Sequence, residues 1–75
     1  MEFDAELDAS GLRCPLPILR TKKALAALES GQILRVTTTD PGAPHDIAVF
    51  ARQTGNALLQ QQTEGDATVH WLRRR

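Results

Sequence analysis

Cys14 dominates the chemistry available to this chain, because it is the only cysteine among 75 residues. It lies in the segment Gly11-Leu12-Arg13-Cys14-Pro15-Leu16-Pro17. One cysteine cannot form an internal disulfide, and without a Cys-x-x-Cys pair there is no resolving thiol for thioredoxin-type chemistry. Two well-separated histidines, His45 and His70, cannot complete a zinc site of the usual spacing with it. We therefore expect the chemistry of a single thiol, with no metal and no other cofactor.

The residues beside Cys14 favour a reactive thiol. If Pro15 takes the first helical position, Cys14 is the N-cap of a helix. Unpaired backbone N–H groups, the helix dipole and the cation of Arg13 would then stabilise the thiolate and lower the pKa of Cys14. Pro15 and Pro17 would stiffen the loop and hold the sulfur outward. The alternative is a small buried apolar residue, which is the more common role of a lone cysteine.

Two kinds of reaction are open to such a thiol. A cysteine hydrolase or transferase needs a histidine within hydrogen-bond reach. His45, at the start of the second predicted helix, could approach the same end of the sheet as Cys14, and His70 lies in the last predicted strand. An exposed surface position is the simpler prediction for each histidine. A persulfide relay needs only a thiolate that takes the outer sulfur of a donor's persulfide and later yields it.

A second feature fits a carrier. Leu16 and Leu19 fall on the side of the first predicted helix opposite its buried stripe, next to Arg20 and Lys23. They could form a small apolar patch with a basic rim, which is what a docking surface requires. Single exposed leucines are also ordinary on protein surfaces, and the sequence leaves both interpretations open.

The helices and strands that must position these residues are predicted from the spacing of apolar residues and from the glycines and prolines that interrupt it. Alternation predicts a first strand over Phe3–Ala9, and Pro15 opens a helix that extends to Glu29, with Gly31 as its C-terminal cap. A β-branched strand is predicted over 32–39 and a second helix from Pro44 to Thr54, ended by Gly55. Two further strands, Ala57–Thr63 and Ala67–Leu72, are joined by a hairpin at 64–66. The predicted inner faces are Ile18, Thr21, Leu25 and Leu28 on the first helix, and Ile47, Phe50, Ala51 and Thr54 on the second.

This βαβαββ order predicts an α+β fold. Two amphipathic helices must cover apolar strand faces, so we expect a two-layer α/β sandwich. Its four-stranded mixed sheet would carry both helices on one face. A chain of this length has room for one domain, which we assign to residues 1–75.

The charge balance and the distribution of apolar residues argue against several classes of function. Nine basic residues balance nine acidic ones, which argues against a general binder of nucleic acid or of anionic membranes. The first residues lack the regions of a signal peptide, and no apolar run approaches the ~18–20 residues that span a bilayer. We expect a cytoplasmic protein without DNA or membrane as a direct partner.

The segment LDASGLRCPLPILRTKKAL resembles the signature of the TusA (SirA-like) sulfur-carrier family, whose hallmark is a Cys-Pro-x-Pro motif opening the first helix. The likeness covers nearly the whole chain. A second segment is similar as well, in Thr39-Asp40-Pro41, then Asp46-Ile47, then Thr54-Gly55-Asn56.

The resemblance implies that Cys14 accepts sulfur as a persulfide from a cysteine desulfurase or another donor protein and passes it to an acceptor protein. It implies that Pro15 and Pro17 shape the loop of Cys14. We add Arg13, Leu16 and Asp40 as residues for thiol positioning and partner docking. Asp40 matches an acidic residue of the family's second segment, although an ordinary turn before Pro41 would also explain it. The chain would be a sulfurtransferase component rather than a stand-alone enzyme.

One difference from the family motif bears on the pathway that would receive the sulfur. Members of the tRNA-thiolation type often have an acidic residue between the two prolines, where this chain has Leu16. The destination of the sulfur therefore stays open among tRNA 2-thiouridine synthesis, molybdenum-cofactor supply and sulfur oxidation.

Two other functions compete with the carrier. Small α/β sandwiches of this order also resemble an RNA-binding domain of a translation initiation factor, and the chain ends in Arg73-Arg74-Arg75. Balanced charge and only three aromatic residues argue against RNA binding, and terminal arginines are more often a solvated tail. A regulatory protein in which Cys14 only senses oxidation is the other alternative.

Overall fold

Strands and helices follow one another in the predicted βαβαββ order in the computed structural model, which describes all residues, 1–75. The elements are β1 (Ala5–Ala9), α1 (Leu16–Ala26), β2 (Ile33–Thr38), α2 (Ala43–Thr54), β3 (Ala57–Glu64) and β4 (Ala67–Arg73). The predicted α+β class and two-layer architecture are confirmed. None of the helices has the length and apolar character needed to cross a bilayer.

The sheet is mixed, with the strand order β1-β2-β4-β3. β1 runs parallel to β2, whereas β4 pairs antiparallel with both β2 and β3. The last strand in sequence therefore lies inside the sheet. β3 forms one edge, and its register with β4 shifts between Leu58 and Gln60. Such an irregularity bends an edge strand and interrupts its row of free backbone groups.

The core lies between the helices and one face of the sheet. β2 alternates between half-buried and buried positions, as expected of a strand that packs on one side. Leu25, Ile47 and Phe50 from the helices meet Leu34 and Leu72 from the sheet. The two predicted helix faces are confirmed, since Thr21, Leu25, Ile47, Phe50 and Ala51 are buried and Ile18, Leu28 and Thr54 are partly buried.

The opposite face of the sheet carries Trp71, which is only 7% exposed although no helix covers it. The guanidinium of Arg35 lies 5.4 Å from the ring centre of Phe3 and 5.7 Å from that of Trp71. Arg35 also forms an ion pair with Glu6 on the neighbouring strand. Stacked cations of this kind cover aromatic surface that would otherwise face water.

Two predicted element ends were wrong by more than one residue. The first helix ends at Ala26 rather than Glu29, because the amides of Ala27 and Leu28 bond to carbonyls three residues back and tighten the last turn. Gly31, with φ of +88°, therefore belongs to the following turn and does not cap the helix. The first strand begins at Ala5 rather than Phe3, because the carboxylate of Asp4 takes the Ile33 amide in place of a strand carbonyl.

The arginines at the end of the chain are held through their backbone, although the side chains of Arg73 and Arg75 are exposed to solvent as predicted. The amide of Arg74 donates to the carbonyl of Gln32, and its carbonyl accepts from Gly31 at 2.7 Å. The amide of Arg75 donates to the side-chain oxygen of Asn56 at 3.0 Å. These bonds attach the end of the chain to the turn before β2 and to the end of α2.

Candidate functional site

Cys14 lies in the turn between β1 and α1, and its side chain is exposed. The alternative of a small buried apolar residue is therefore wrong. The helix begins one residue later than predicted, with Pro15 as the N-cap and Leu16 as the first helical residue. The Cys14–Pro15 peptide bond is cis, and the Leu16 amide donates to the carbonyl of Arg13 at 2.8 Å. Cys14 thus stands just outside the helix rather than at its cap.

The turn that bears Cys14 is attached to the end of β2. The amide of Gly11, which has a φ of +78°, donates to the hydroxyl oxygen of Thr39 at 2.8 Å. Pro17, in the first turn of α1, is fully buried. These contacts bring together the two sequence segments singled out above, one around Cys14 and the other around Asp40 and Asp46.

A shallow groove between α1 and α2 begins at the sulfur atom. We call it the thiol groove, and its volume is about 320 Å³. Its lining residues are Cys14, Pro15, Ile18, His45, Asp46, Val49, Phe50 and Gln53. The groove is open to solvent, so it offers the thiol a surface for contact rather than an enclosed substrate pocket.

Two carboxylates dominate the electrostatics at Cys14. Asp46 lies in the first turn of α2 and lines the thiol groove together with Cys14. Hydrogen bonding to Asp46, partial desolvation and the negative charges of Asp46 and Asp40 raise the pKa of the Cys14 thiol. The predicted lowering was wrong, because the sulfur lies outside the helix cap and because the carboxylates oppose Arg13, which is exposed and forms no salt bridge.

Asp40 and Asp46 approach each other across Gly42. A Cβ atom at Gly42 would lie 3.4 Å from Oδ2 of Asp40 and 3.8 Å from Oδ2 of Asp46. Both carboxylates are half-buried, and neither forms a salt bridge. An uncompensated acidic pair therefore faces the sulfur from the α2 side. No group of three or more His, Cys, Asp or Glu side chains is arranged to hold a metal ion.

The two histidines have different surroundings. His45 is exposed and lines the thiol groove, at the end of the sheet where the sequence analysis allowed it to meet Cys14. His70 was expected at the surface, and that prediction was wrong. It is fully buried on the inner face of β4, because the side chains at positions 68, 70 and 72 of that strand lie on the face covered by the helices.

Both ring nitrogens of the buried His70 have hydrogen-bond partners. Its Nε2 lies 2.8 Å from the hydroxyl oxygen of Thr38, and its Nδ1 accepts from the amide nitrogen of Gln61 at 3.0 Å. Burial lowers the pKa of His70 to about 4. This residue is therefore structural and takes no part in the thiol groove.

The predicted docking residues lie beside Cys14 on the outer side of α1. Leu16 is 42% exposed and Leu19 53% exposed, and both belong to the few large apolar side chains that face solvent. Arg20 and Lys23 are exposed near them. We call these four residues the α1 patch. The structure thus provides the apolar surface with a basic rim, adjoining the thiol.

Sequence reasoning quoted Asp46 only as part of a motif and gave it no role. Val49 and Gln53 were missed entirely. Their spacing from Asp46 is helical, at three and seven residues, so a shared face was detectable. What the pattern cannot provide is the neighbour of that face, because the approach of α2 to the turn before α1 is set by tertiary packing.

Comparison with known proteins identifies related chains. A family model described as "Sulfurtransferase TusA" matches residues 5–74. The sulfur carrier protein TusA of Allochromatium vinosum is 61% identical over 71 residues, which are 95% of this chain and 92% of that protein. The sulfur carrier protein TusA of Pseudomonas putida strain GB-1 is 39% identical over 72 residues, covering 96% of this chain and 90% of the relative.

A solved structure shows the same fold. The crystal structure of a SirA-like protein from Desulfitobacterium hafniense superposes with a TM-score of 0.78 at 25% sequence identity. The match covers 93% of this chain and 95% of the other. The architecture described above is therefore that of a SirA-like domain.

Proposed function

The chain belongs to the TusA family of sulfur carriers, and from that premise we propose that Cys14 carries the sulfur as a persulfide between two protein partners. The observation that supports this most directly is the position of the sole thiol, exposed at the mouth of an open groove. A carrier must present its sulfur to two different proteins in turn, and an enclosed site would prevent both exchanges.

In the loading step, the Cys14 sulfur attacks the outer sulfur of a donor protein's persulfide. A new sulfur–sulfur bond forms on Cys14 while the donor's own sulfur–sulfur bond breaks. The donor cysteine leaves as a thiolate and takes up the proton that Cys14 has lost. The terminal sulfur keeps its hydrogen, so the exchange has no net oxidation or reduction. Delivery repeats the same exchange with the acceptor's nucleophile.

Residues around Cys14 have separable roles in this proposal. Pro15 and the buried Pro17 fix the turn that presents the sulfur. Arg13, Leu16 and Asp40 lie where a docked partner would contact them, and the α1 patch extends that surface along the helix. We propose that the donor is a cysteine desulfurase or another persulfide-bearing protein and that residues 1–75 act as one carrier domain.

The destination of the sulfur is a separate question. Synthesis of 2-thiouridine in tRNA is one proposed end point, and the apolar Leu16 between the two prolines distinguishes this chain from carriers with an acid there. An apolar residue at 42% exposure next to the thiol selects for an acceptor with a complementary apolar contact.

Intact mass spectrometry under non-reducing conditions tests the proposal. The chain is incubated with a cysteine desulfurase and cysteine, alongside a Cys14→Ser variant of matched shape. We expect wild type to gain the mass of one sulfur atom, which reductant removes, and the variant to gain nothing. Absence of any gain with several persulfide donors would contradict the carrier role. RNA binding that survives Cys14→Ser would then favour the binding-module alternative.

A further inference from the structure

A second cavity lies further along the same two helices, toward their C-terminal ends. Lys22, in the second half of α1, and Thr54, the final residue of α2, line this cavity. Arg74 and Arg75, at the end of the chain, line it as well. We call it the basic pocket, and its volume is about 200 Å³. Cys14 is not among its lining residues, so its chemistry is separate from that of the thiol.

The basic pocket is positively charged. Lys22, Arg74 and Arg75 contribute cations to its wall, and no aspartate or glutamate lines it. The only salt bridge in the chain joins Arg35 and Glu6, so none of the three cations is paired, even with the terminal carboxylate of Arg75. Like charges around one cavity repel each other, and a bound anion would remove that repulsion. The pocket therefore favours an anionic ligand.

The two arginines are held at the pocket before any ligand arrives. The amide of Arg75 donates to the side-chain oxygen of Asn56 at 3.0 Å, and the carbonyl of Arg74 accepts from Gly31 at 2.7 Å. The side chain of Arg75 passes over Gly55, so that a Cβ atom there would lie 3.2 Å from its Cδ and 3.6 Å from its Nη1. A backbone fixed in this way reduces the ordering that a ligand must impose on the site.

A purely structural role accounts for one of these cations and not for the others. The C-terminal end of α2 carries partial negative charge, which attracts a cation such as Arg75 beside Gly55. Such attraction acts within the last turn of a helix, and in α1 the basic residue of that turn is Lys23 rather than Lys22. Arg74 is held by the turn that follows α1. The helix dipoles therefore do not explain why three cations meet at one cavity.

The free donors of the pocket are its charged groups. The side chains of Asn56 and Thr54 bond to each other at 2.8 Å, which leaves the guanidinium and ammonium groups for a ligand. Guanidinium groups present N–H donors in a planar fork that matches pairs of phosphate oxygens. We propose that the basic pocket binds a phosphate dianion, either as the free ion or as the terminal phosphate of a small molecule.

The size of the pocket favours a small ligand over RNA. Its volume of about 200 Å³ lies below the ~300–1,000 Å³ that is typical of pockets for drug-sized molecules. Recognition of single-stranded RNA uses aromatic rings on which bases stack. The only aromatic residue in the pocket wall, Phe50, is buried in the core. A phosphate with few other atoms attached to it is therefore the ligand that the pocket fits.

Titration with inorganic phosphate, followed by two-dimensional ¹H–¹⁵N NMR at constant ionic strength, tests the proposal on the full chain. We expect saturable shifts of the amide signals of Gly55, Asn56 and Arg75. Lys22→Gln and Arg74→Gln should each raise the dissociation constant by roughly tenfold, because a charge-assisted hydrogen bond to the ligand is lost. The spectrum of each variant also shows whether the fold is intact.

Arg73→Gln is the matched control. Arg73 is the exposed neighbour of Arg74 and is not part of the pocket wall, so its replacement should leave the dissociation constant unchanged. Equal weakening by Arg73→Gln and Arg74→Gln would overturn the proposal, because it would indicate a general effect of net charge. Shifts that grow in proportion to phosphate without saturation would overturn it as well.

Two further ligands distinguish the sources of the phosphate. Ribose 5-phosphate that binds at least as tightly as inorganic phosphate would support the terminal phosphate of a small molecule. Weaker binding of ribose 5-phosphate would support the free ion. A single-stranded RNA oligonucleotide without a terminal phosphate is the third probe. If it binds more tightly than both and is weakened by Arg74→Gln, the pocket is a contact for RNA and the proposed small ligand is wrong.

Discussion

Cys14 is accessible but not activated, and the two properties have different structural sources. Its exposure comes from the turn before α1, and the carboxylates of Asp46 and Asp40 raise the pKa of its thiol. A thiol of this kind reacts slowly with small oxidants and alkylating agents, because these attack the thiolate. A carrier that meets its donor only occasionally benefits from such protection.

His70 makes the stability of the fold depend on pH. Its folded-state pKa is about 4, below the ordinary value of 6.5, so folding favours the neutral imidazole. The stabilisation is complete above pH 6.5 and is lost as the pH falls toward 4, since the unfolded chain takes up the proton first. We expect a loss of roughly 2–3 kcal/mol in the free energy of unfolding across that window, measured by urea denaturation.

Two histidine variants serve as controls for this prediction. His70→Gln should flatten the dependence on pH, because the titrating group is gone. His45→Gln, which removes an exposed imidazole, should keep the wild-type slope. A wild-type protein equally stable at pH 4.5 and pH 7 would contradict the assignment of a buried neutral His70.

At the scale of elements, the stability of α2 depends on Gly55, the glycine at its C-terminal end. Gly55 has a φ of +78° in the left-handed region, where a Cβ atom is strained. Its Cβ would also lie 3.2 Å from Cδ of Arg75, a side chain that can move. We therefore expect Gly55→Ala to lower the free energy of unfolding by about 1–2 kcal/mol, chiefly through the backbone.

Gly42, at the other end of the same helix, is the matched control. Its φ of −84° is open to any residue, so Gly42→Ala should change stability by well under 1 kcal/mol. Thermal unfolding of the two variants provides the comparison. Equal destabilisation by both substitutions would show that backbone strain introduced at position 55 is not the cause.

The elements themselves were predictable because each leaves a local signal. β-branched residues identified β2, and helical spacing identified Ile47, Phe50 and Ala51 as the buried face of α2. Most ends were placed within one residue, including Gly55 after α2. The end of α1 was predicted three residues too late, because no local signal distinguishes Ala26 from the three residues after it. The turn there is fixed by hydrogen bonds with Gln32 and with the end of the chain.

The position of the exposed thiol was predictable from the sequence, but the residues around it were not. Cys14, the prolines and the α1 patch follow from sequence order along one helix. The direction of the change in the Cys14 pKa could not be predicted in this way, because it is set chiefly by Asp46. Asp46 lies 32 residues away in sequence and is brought near the sulfur by the packing of α2 against α1. His70 was misplaced for a similar reason, since a single polar residue does not show which side of a strand it takes.

At the scale of the whole molecule, a small core makes each buried side chain matter. A domain of this size has a free energy of unfolding of about 4–11 kcal/mol. Ile47 is fully buried between α2 and the sheet. We expect Ile47→Ala to reduce that free energy by about 2–5 kcal/mol, as measured by chemical denaturation, because a cavity replaces the side chain.

Leu19→Ala is the matched control for this prediction. Leu19 is an aliphatic side chain in the other helix and is 53% exposed. Its truncation should change stability by no more than about 0.5 kcal/mol. A loss as large as that of Ile47→Ala would mean that Leu19 packs within the fold and does not form part of an exposed α1 patch.

The central position of β4 sets the order of events when the chain is synthesised. Two of the three strand pairings involve residues 67–73, so a nascent chain that stops short of them has only the β1–β2 pair. Until β4 arrives, the apolar sides of both helices have half a sheet to cover them. The sheet can therefore close only once residues 67–73 are available to pair. Trp71, the only tryptophan, lies in that last strand, so its fluorescence marks the moment of closure.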